Sequence, residues 1–102
     1  MKTVLIEYVL APTASVADVE REIATFVRGI RDLDVGIRYA SHRRQKADRA
    51  YVHVGYVPND DALKALQAAP FFERFASALR PACIEGPRTT WLEVVASTEA
   101  PS

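Results

Sequence analysis

The chain is poor in cysteine and glycine and has no excess of either charge, and each scarcity removes a class of function. Its single cysteine, Cys83, cannot form an intrachain disulfide, and without a supporting motif its expected role is a small buried hydrophobe. Four glycines leave no loop rich enough in them to cradle a phosphate. Lys plus Arg and Asp plus Glu each number 13, so the net charge is zero. That balance supplies no basic field for nucleic acid and opposes self-association only weakly. No apolar run approaches the roughly 20 residues that span a bilayer. The opening MKTVLIEYVL turns polar too soon for a signal peptide, so no membrane association and a cytoplasmic location are expected. Two histidines without local ligand spacing make a poor metal site, and none is expected.

What is present suits one globular domain over 1–102, closing in a polar tail, STEAPS, at 97–102. No repeat or linker interrupts it. Val4, Ile6, Tyr8 and Leu10 alternate along a first strand, Val4 to Leu10. Ser15 with Asp18 resembles a capping box. Val19, Ile23, Phe26, Val27 and Ile30 then recur at helical spacing to about Asp32. A second strand is expected over Val35 to about His42, a polar basic hairpin connection after it, and a third strand over Arg49 to Val57. Asn59 or Asp60 can cap the next helix, which Pro70 restarts and Phe71, Phe72, Phe75 and Leu79 continue. The segment IEGPR reads as a loop before a last strand, Thr89 to Ala96.

This order, βαββαβ, is the α+β, ferredoxin-like split βαβ arrangement. It predicts a four-stranded antiparallel sheet with the last strand beside the first, then the third, then the second, and both helices on one face. The expected helix-facing set is Val4, Ile6, Tyr8, Val52, Val54, Tyr56, Leu92 and Val94. The opposite set is then Leu5, Glu7, Val9, Tyr51, His53, Gly55, Trp91, Glu93 and Val95, too apolar for open water. A second copy of the chain packed on that face is the simplest cover, giving a homodimer.

The strand TVLIEYVL, the strand AYVHVGYV running into PNDDALKAL, the helix PFFERF and the ending GPRTTWLEVV carry a resemblance over nearly the whole chain. In that order they resemble the dimeric α/β-barrel superfamily, and most closely the antibiotic biosynthesis monooxygenase family. The resemblance implies a homodimer and a small, often aromatic, substrate. It also implies, as in some members, oxygen chemistry with no metal or flavin cofactor. The haem-degrading branch would need an asparagine near the first strand and a helix histidine. This chain has Glu7 in that strand and no histidine in the helix Asp60 to Arg80.

Within this fold, Glu7, Glu93 and His53 are expected near one another on three adjacent strands, with Arg38 or Tyr39 extending the row. Cross-strand neighbours about 5 Å apart interact. Two carboxylates would raise one pKa, and His53 between acid and base could relay a proton. Tyr51, Trp91, Phe72, Phe75 and Arg38 would hold the substrate. The leading reading is a cofactor-independent monooxygenase in which His53, Glu7 or Glu93 deprotonates a phenol or quinol. The alternative is a non-catalytic homodimeric module that binds or senses a small aromatic metabolite. In a third reading the domain only dimerises, His53 makes an interface hydrogen bond, and Glu7 and Glu93 pair with Arg38 or Arg88.

Overall fold

The computed structural model describes residues 2–98, so most of the polar tail, 99–102, lies outside the described residues. The elements are β1 (Lys2–Leu10), α1 (Val16–Leu33), β2 (Arg38–Arg43), β3 (Ala50–Val57), α2 (Asp60–Ala68), α3 (Pro70–Leu79) and β4 (Cys83–Glu93), with a 3₁₀ turn at Arg80–Ala82. The strands form one antiparallel sheet in the order β2-β3-β1-β4, the ferredoxin-like order expected.

Local chemistry accounts for the element boundaries. Ser15 Oγ accepts a hydrogen bond from the Asp18 N–H at 3.2 Å, starting α1, whose buried stripe is Val19, Ile23, Phe26 and Ile30. Asn59 Oδ1 accepts from the Ala62 N–H at 2.8 Å and starts α2. Pro70 stands in the first turn of α3, where its missing N–H costs nothing, so one expected helix becomes two. β2 begins at Arg38 instead of Val35, because Asp34 (φ 53°) and Gly36 (φ 84°) turn the chain in left-handed conformations.

β4 differs more. It begins at Cys83 and ends at Glu93, so IEGPR is strand and Val94 and Val95 follow it. The pairing with β1 shifts register between Glu7 and Leu10, opposite the Gly86–Pro87 segment. Gly86 has φ 78°, and a Cβ there would lie 2.6 Å from the Glu7 carbonyl oxygen. Gly86→Ala should therefore lower the urea midpoint, with the backbone conformation alone costing about 1–3 kcal/mol. An unchanged midpoint would show that β4 relaxes away from β1 at this point.

The faces of β3 and β4 are the reverse of those expected. Ile6 pairs with His53, Tyr8 with Tyr51 and Val4 with Gly55. Tyr51, His53 and Gly55 thus lie with Val4, Ile6 and Tyr8 beneath the helices, while Val52, Val54 and Tyr56 share the outer face with Glu7, Leu5 and Thr3. Trp91 pairs with Val4 and Glu93 with Lys2, on the helix side, whereas Leu92 pairs with Thr3 on the outer side. A one-residue slip moves every side chain across a sheet. Both alternating sets of β3 are apolar, so alternation alone does not choose the phase.

Tertiary contacts choose it. The Tyr51 hydroxyl reaches Glu20 of α1 at 2.7 Å, and His53 fits between two tyrosine hydroxyls. Gly55 makes room for Tyr39, since a Cβ there would come within 2.8 Å of the Tyr39 ring. Phe26 gathers the layer above, stacking on Phe75 at 4.4 Å and meeting Tyr39 edge-on at 5.4 Å. The sheet still has a helix-free apolar face, which keeps Leu5 but takes different residues from β3 and β4: Leu5, Val52 and Val54 are half-buried, and Tyr56 and Leu92 are exposed.

Candidate active site

His53 is fully buried (0% exposed) in the middle of β3. Its Nε2 lies 2.7 Å from Tyr8 Oη and its Nδ1 lies 2.8 Å from Tyr39 Oη. Tyr8 comes from β1 and Tyr39 from β2, so three adjacent strands build the cluster. The Phe75 ring of α3 stacks over the imidazole at 5.9 Å. Burial lowers the His53 pKa from 6.5 to about 4, with the charge of His42 a smaller second cause. The ring is therefore neutral at pH 7. Burial likewise drives the Tyr8 and Tyr39 hydroxyls well above the ordinary phenol range. The three groups form a neutral hydrogen-bonded chain.

Tyr51 is a supporting element. Its ring stacks on Tyr8 at 5.4 Å, and its hydroxyl donates to Glu20 Oε2, which also accepts from Arg43 Nη1 at 3.2 Å. Burial, then the hydrogen bond to Glu20, pushes the Tyr51 hydroxyl up to about 12.

A cavity of about 230 Å³ lies between the sheet and α1 and α3. Ile6 and Thr89 border it from the sheet, and Phe26, Phe72 and Phe75 from the helices. Tyr39 belongs to both structures, being part of the cavity wall and hydrogen-bonded to His53. Among the described residues lining it Arg80 is the one that is charged, and it is solvent-exposed. His53 itself stands behind Tyr39 and Phe75. Among the described residues no three His, Cys, Asp or Glu side chains are grouped as metal ligands, and no helix is long and apolar enough to cross a membrane.

The expected row of Glu7, Glu93 and His53 is not formed. Glu7 lies on the outer face, opposite Val52 and Arg88, and Glu93 lies at the end of β4 opposite Lys2. His53 has two tyrosines where carboxylates were expected, so among the described residues it has no acid beside it. Of the expected binding residues, Phe72 and Phe75 do line the cavity. Tyr51 is in the core. Trp91, 46% exposed, borders a separate hollow of about 410 Å³ with Leu63, Gln67 and Glu93. Arg38 sits on the outer face, its guanidinium 5.6 Å from the Tyr56 ring centroid. Cys83 is half-buried against the core, and burial raises its pKa.

Sequence reasoning missed Tyr8 and Arg80 as site residues and read Phe26 only as core. Tyr8 is assigned to the helix-facing set by its own alternation, and only the phase of β3 separates it from His53. No pattern marks Arg80, which gains meaning from the cavity beside it.

The ferredoxin-like α+β arrangement is a fold with solved members. One structure described as an antibiotic biosynthesis monooxygenase aligns with a TM-score of 0.85 at 19% identity, over 94% of this chain and 100% of that one. The cofactor-independent oxygenase SnoaB from Streptomyces nogalater aligns with a TM-score of 0.78 at 19% identity, over 97% of each chain. PA3566 from Pseudomonas aeruginosa aligns with a TM-score of 0.80 at 22% identity, over 93% of this chain and 94% of that one. At these identities the likeness establishes the fold, which this chain shares with antibiotic biosynthesis monooxygenase structures. No family model matches the sequence, and no curated protein does.

Proposed function

We propose that the chain is a cofactor-independent monooxygenase that takes a small aromatic, quinol-type molecule into the cavity beneath α1 and α3. One observation carries the reading: an apolar aromatic cavity whose wall includes a tyrosine held by a buried neutral histidine. The phenylalanines offer a planar ligand stacking surfaces. Arg80 favours the deprotonated form of a bound phenol or enol, and the resulting electron-rich anion reacts with oxygen. For an anthrone-type methylene, the carbon loses two hydrogens and gains one oxygen atom as a carbonyl. The second oxygen atom leaves as water, and the substrate supplies all the electrons. His53 acts through Tyr39, because it does not reach the cavity. The description of SnoaB as a cofactor-independent oxygenase supports the reading at the level of fold.

Oxygen uptake with a panel of quinols, catechols and anthrones, under chelator and without added cofactor, tests this. Wild type should consume oxygen, and Tyr39→Phe should be slower by about 100-fold if its hydroxyl stabilises the reacting anion. Ligand-induced stabilisation without oxygen uptake would instead favour the binding or sensing module. Neither uptake nor stabilisation across the panel would remove the cavity from consideration.

We also propose a homodimer through the outer sheet face. Leu5, Val52, Val54, Tyr56 and Leu92 make that face apolar, and Thr3 Oγ1 is buried on it without a partner among the described residues. Val54→Asp should convert a dimer to monomer in sedimentation while leaving the fold intact. A wild-type monomer at high concentration would sink the proposal.

A further inference from the structure

The Tyr8–His53–Tyr39 chain has a direction, and that direction specifies what the cavity can hold. A neutral imidazole has one N–H and one lone pair. Both nitrogens of His53 lie within 2.8 Å of a tyrosine hydroxyl, so one tyrosine donates to the ring and the other accepts from it. Tyr8 is 3% exposed, and among the described residues its hydroxyl has only His53 Nε2 as a hydrogen-bond partner. A proton on Nε2 would leave the Tyr8 O–H buried with no acceptor. With the proton on Nδ1, Tyr8 donates to Nε2 and Nδ1–H donates to Tyr39 Oη, so the two donors with no other outlet, the Tyr8 O–H and the His53 N–H, are both used. The Tyr39 proton is then the one left over, and Tyr39 borders the cavity.

We infer that Tyr39 donates its hydroxyl proton into the cavity and so selects ligands that present an oxygen acceptor there, a ketone, quinone carbonyl or phenolate on an aromatic frame, with Tyr8 the positioning residue that sets the direction. Arg80 on the same cavity favours the anionic end of that class. A hydrocarbon of the same shape fills the cavity without using this donor, and an ammonium group is disfavoured by the Arg80 charge on the same cavity. Gly55 belongs to the arrangement, since the Tyr39 ring lies over it in space that a Cβ would occupy. The ligand half of the inference rests on the cavity being the binding site, as proposed above. The hydrogen-bond direction does not.

Two measurements on the full chain test it. Nitrogen NMR of the labelled His53 ring at neutral pH should show a protonated Nδ1 and a hydrogen-bonded, unprotonated Nε2. Tyr8→Phe should move the Nε2 signal toward that of an unbonded nitrogen, a change that a packing role alone would not give. A protonated Nε2 in wild type overturns the direction, whatever the chain binds. The second measurement is the affinity for tetralone, an aromatic ketone, against its hydrocarbon tetralin. Wild type should prefer tetralone. Tyr39→Phe should weaken tetralone by about 10-fold and leave tetralin unchanged. Equal affinities in wild type, or binding of neither probe, overturns the ligand class. If both measurements succeed while no oxygen is consumed in the uptake panel, the monooxygenase reading fails and this inference stands.

Discussion

Phe26→Ala should cost about 3–5 kcal/mol of folding stability. Phe26 is 4% exposed and lies on the buried stripe of α1. Its ring meets those of Phe75 (4.4 Å), Tyr39 (5.4 Å), Phe71 (5.8 Å) and Phe72 (6.2 Å). Truncation would remove the shared contact of α1, α3 and β2. Collapse into the gap is restricted: Phe71 already lies against Gly29, where a Cβ would fall 2.5 Å from its ring. The void would join the existing cavity of about 230 Å³. Against a typical total of about 5–15 kcal/mol, such a loss is severe. Urea unfolding measures it, with Phe26→Leu as the milder control. A loss below about 1 kcal/mol would mean that the helices close over the gap and that Phe26 does not organise the layer.

Acid should destabilise the protein by about 3 kcal/mol through His53 alone. The group has a pKa of 6.5 when unfolded and about 4 when folded. Between these values the unfolded chain binds a proton at His53 that the folded chain does not, so stability rises with pH across the window. The contribution is complete above pH 6.5 and is lost as pH falls toward 4. Two tyrosines and, among the described residues, no carboxylate contact the ring, so no counter-charge there stabilises an imidazolium. Urea midpoints taken across this range for wild type and His53→Gln isolate the term, because other titrating groups are common to both. The difference between the chains should diminish as pH falls. Parallel profiles would mean that the buried ring is not kept neutral at the expense of protonation.

The element order is legible in the residues themselves. The stripe of Val19, Ile23, Phe26 and Ile30, the Ser15 and Asn59 caps, the restart at Pro70 and the β3 run all arise from contacts within a few positions, and the structure repeats them. From that order the ferredoxin-like sheet follows, because few connections join such elements. Phe72 and Phe75 are legible as candidates by the same spacing. The extent of β4 is not: Gly86 and Pro87 have a loop's composition, and only the pairing of Glu85 and Arg88 on either side with β1 carries the strand through them.

The site depends on a choice the local pattern leaves open. Along β3, Val52, Val54 and Tyr56 are as apolar as Tyr51, Gly55 and Val57, so burial of either set stabilises the strand comparably. Glu7 could stand beside His53 only in the phase the fold does not adopt, while Glu93 shares the helix side but lies at the strand end opposite Lys2. What distinguishes the phases is distant in sequence: a carboxylate on α1 for the Tyr51 hydroxyl, space at Gly55 for Tyr39, and hydroxyls on β1 and β2 for the His53 nitrogens. The sequence by itself determined the elements and their order, since these rest on short-range spacing and backbone chemistry. Only the tertiary structure decided that His53 meets Tyr8 and Tyr39 beneath the helices, because a strand with two apolar faces takes its orientation from what lies across from it.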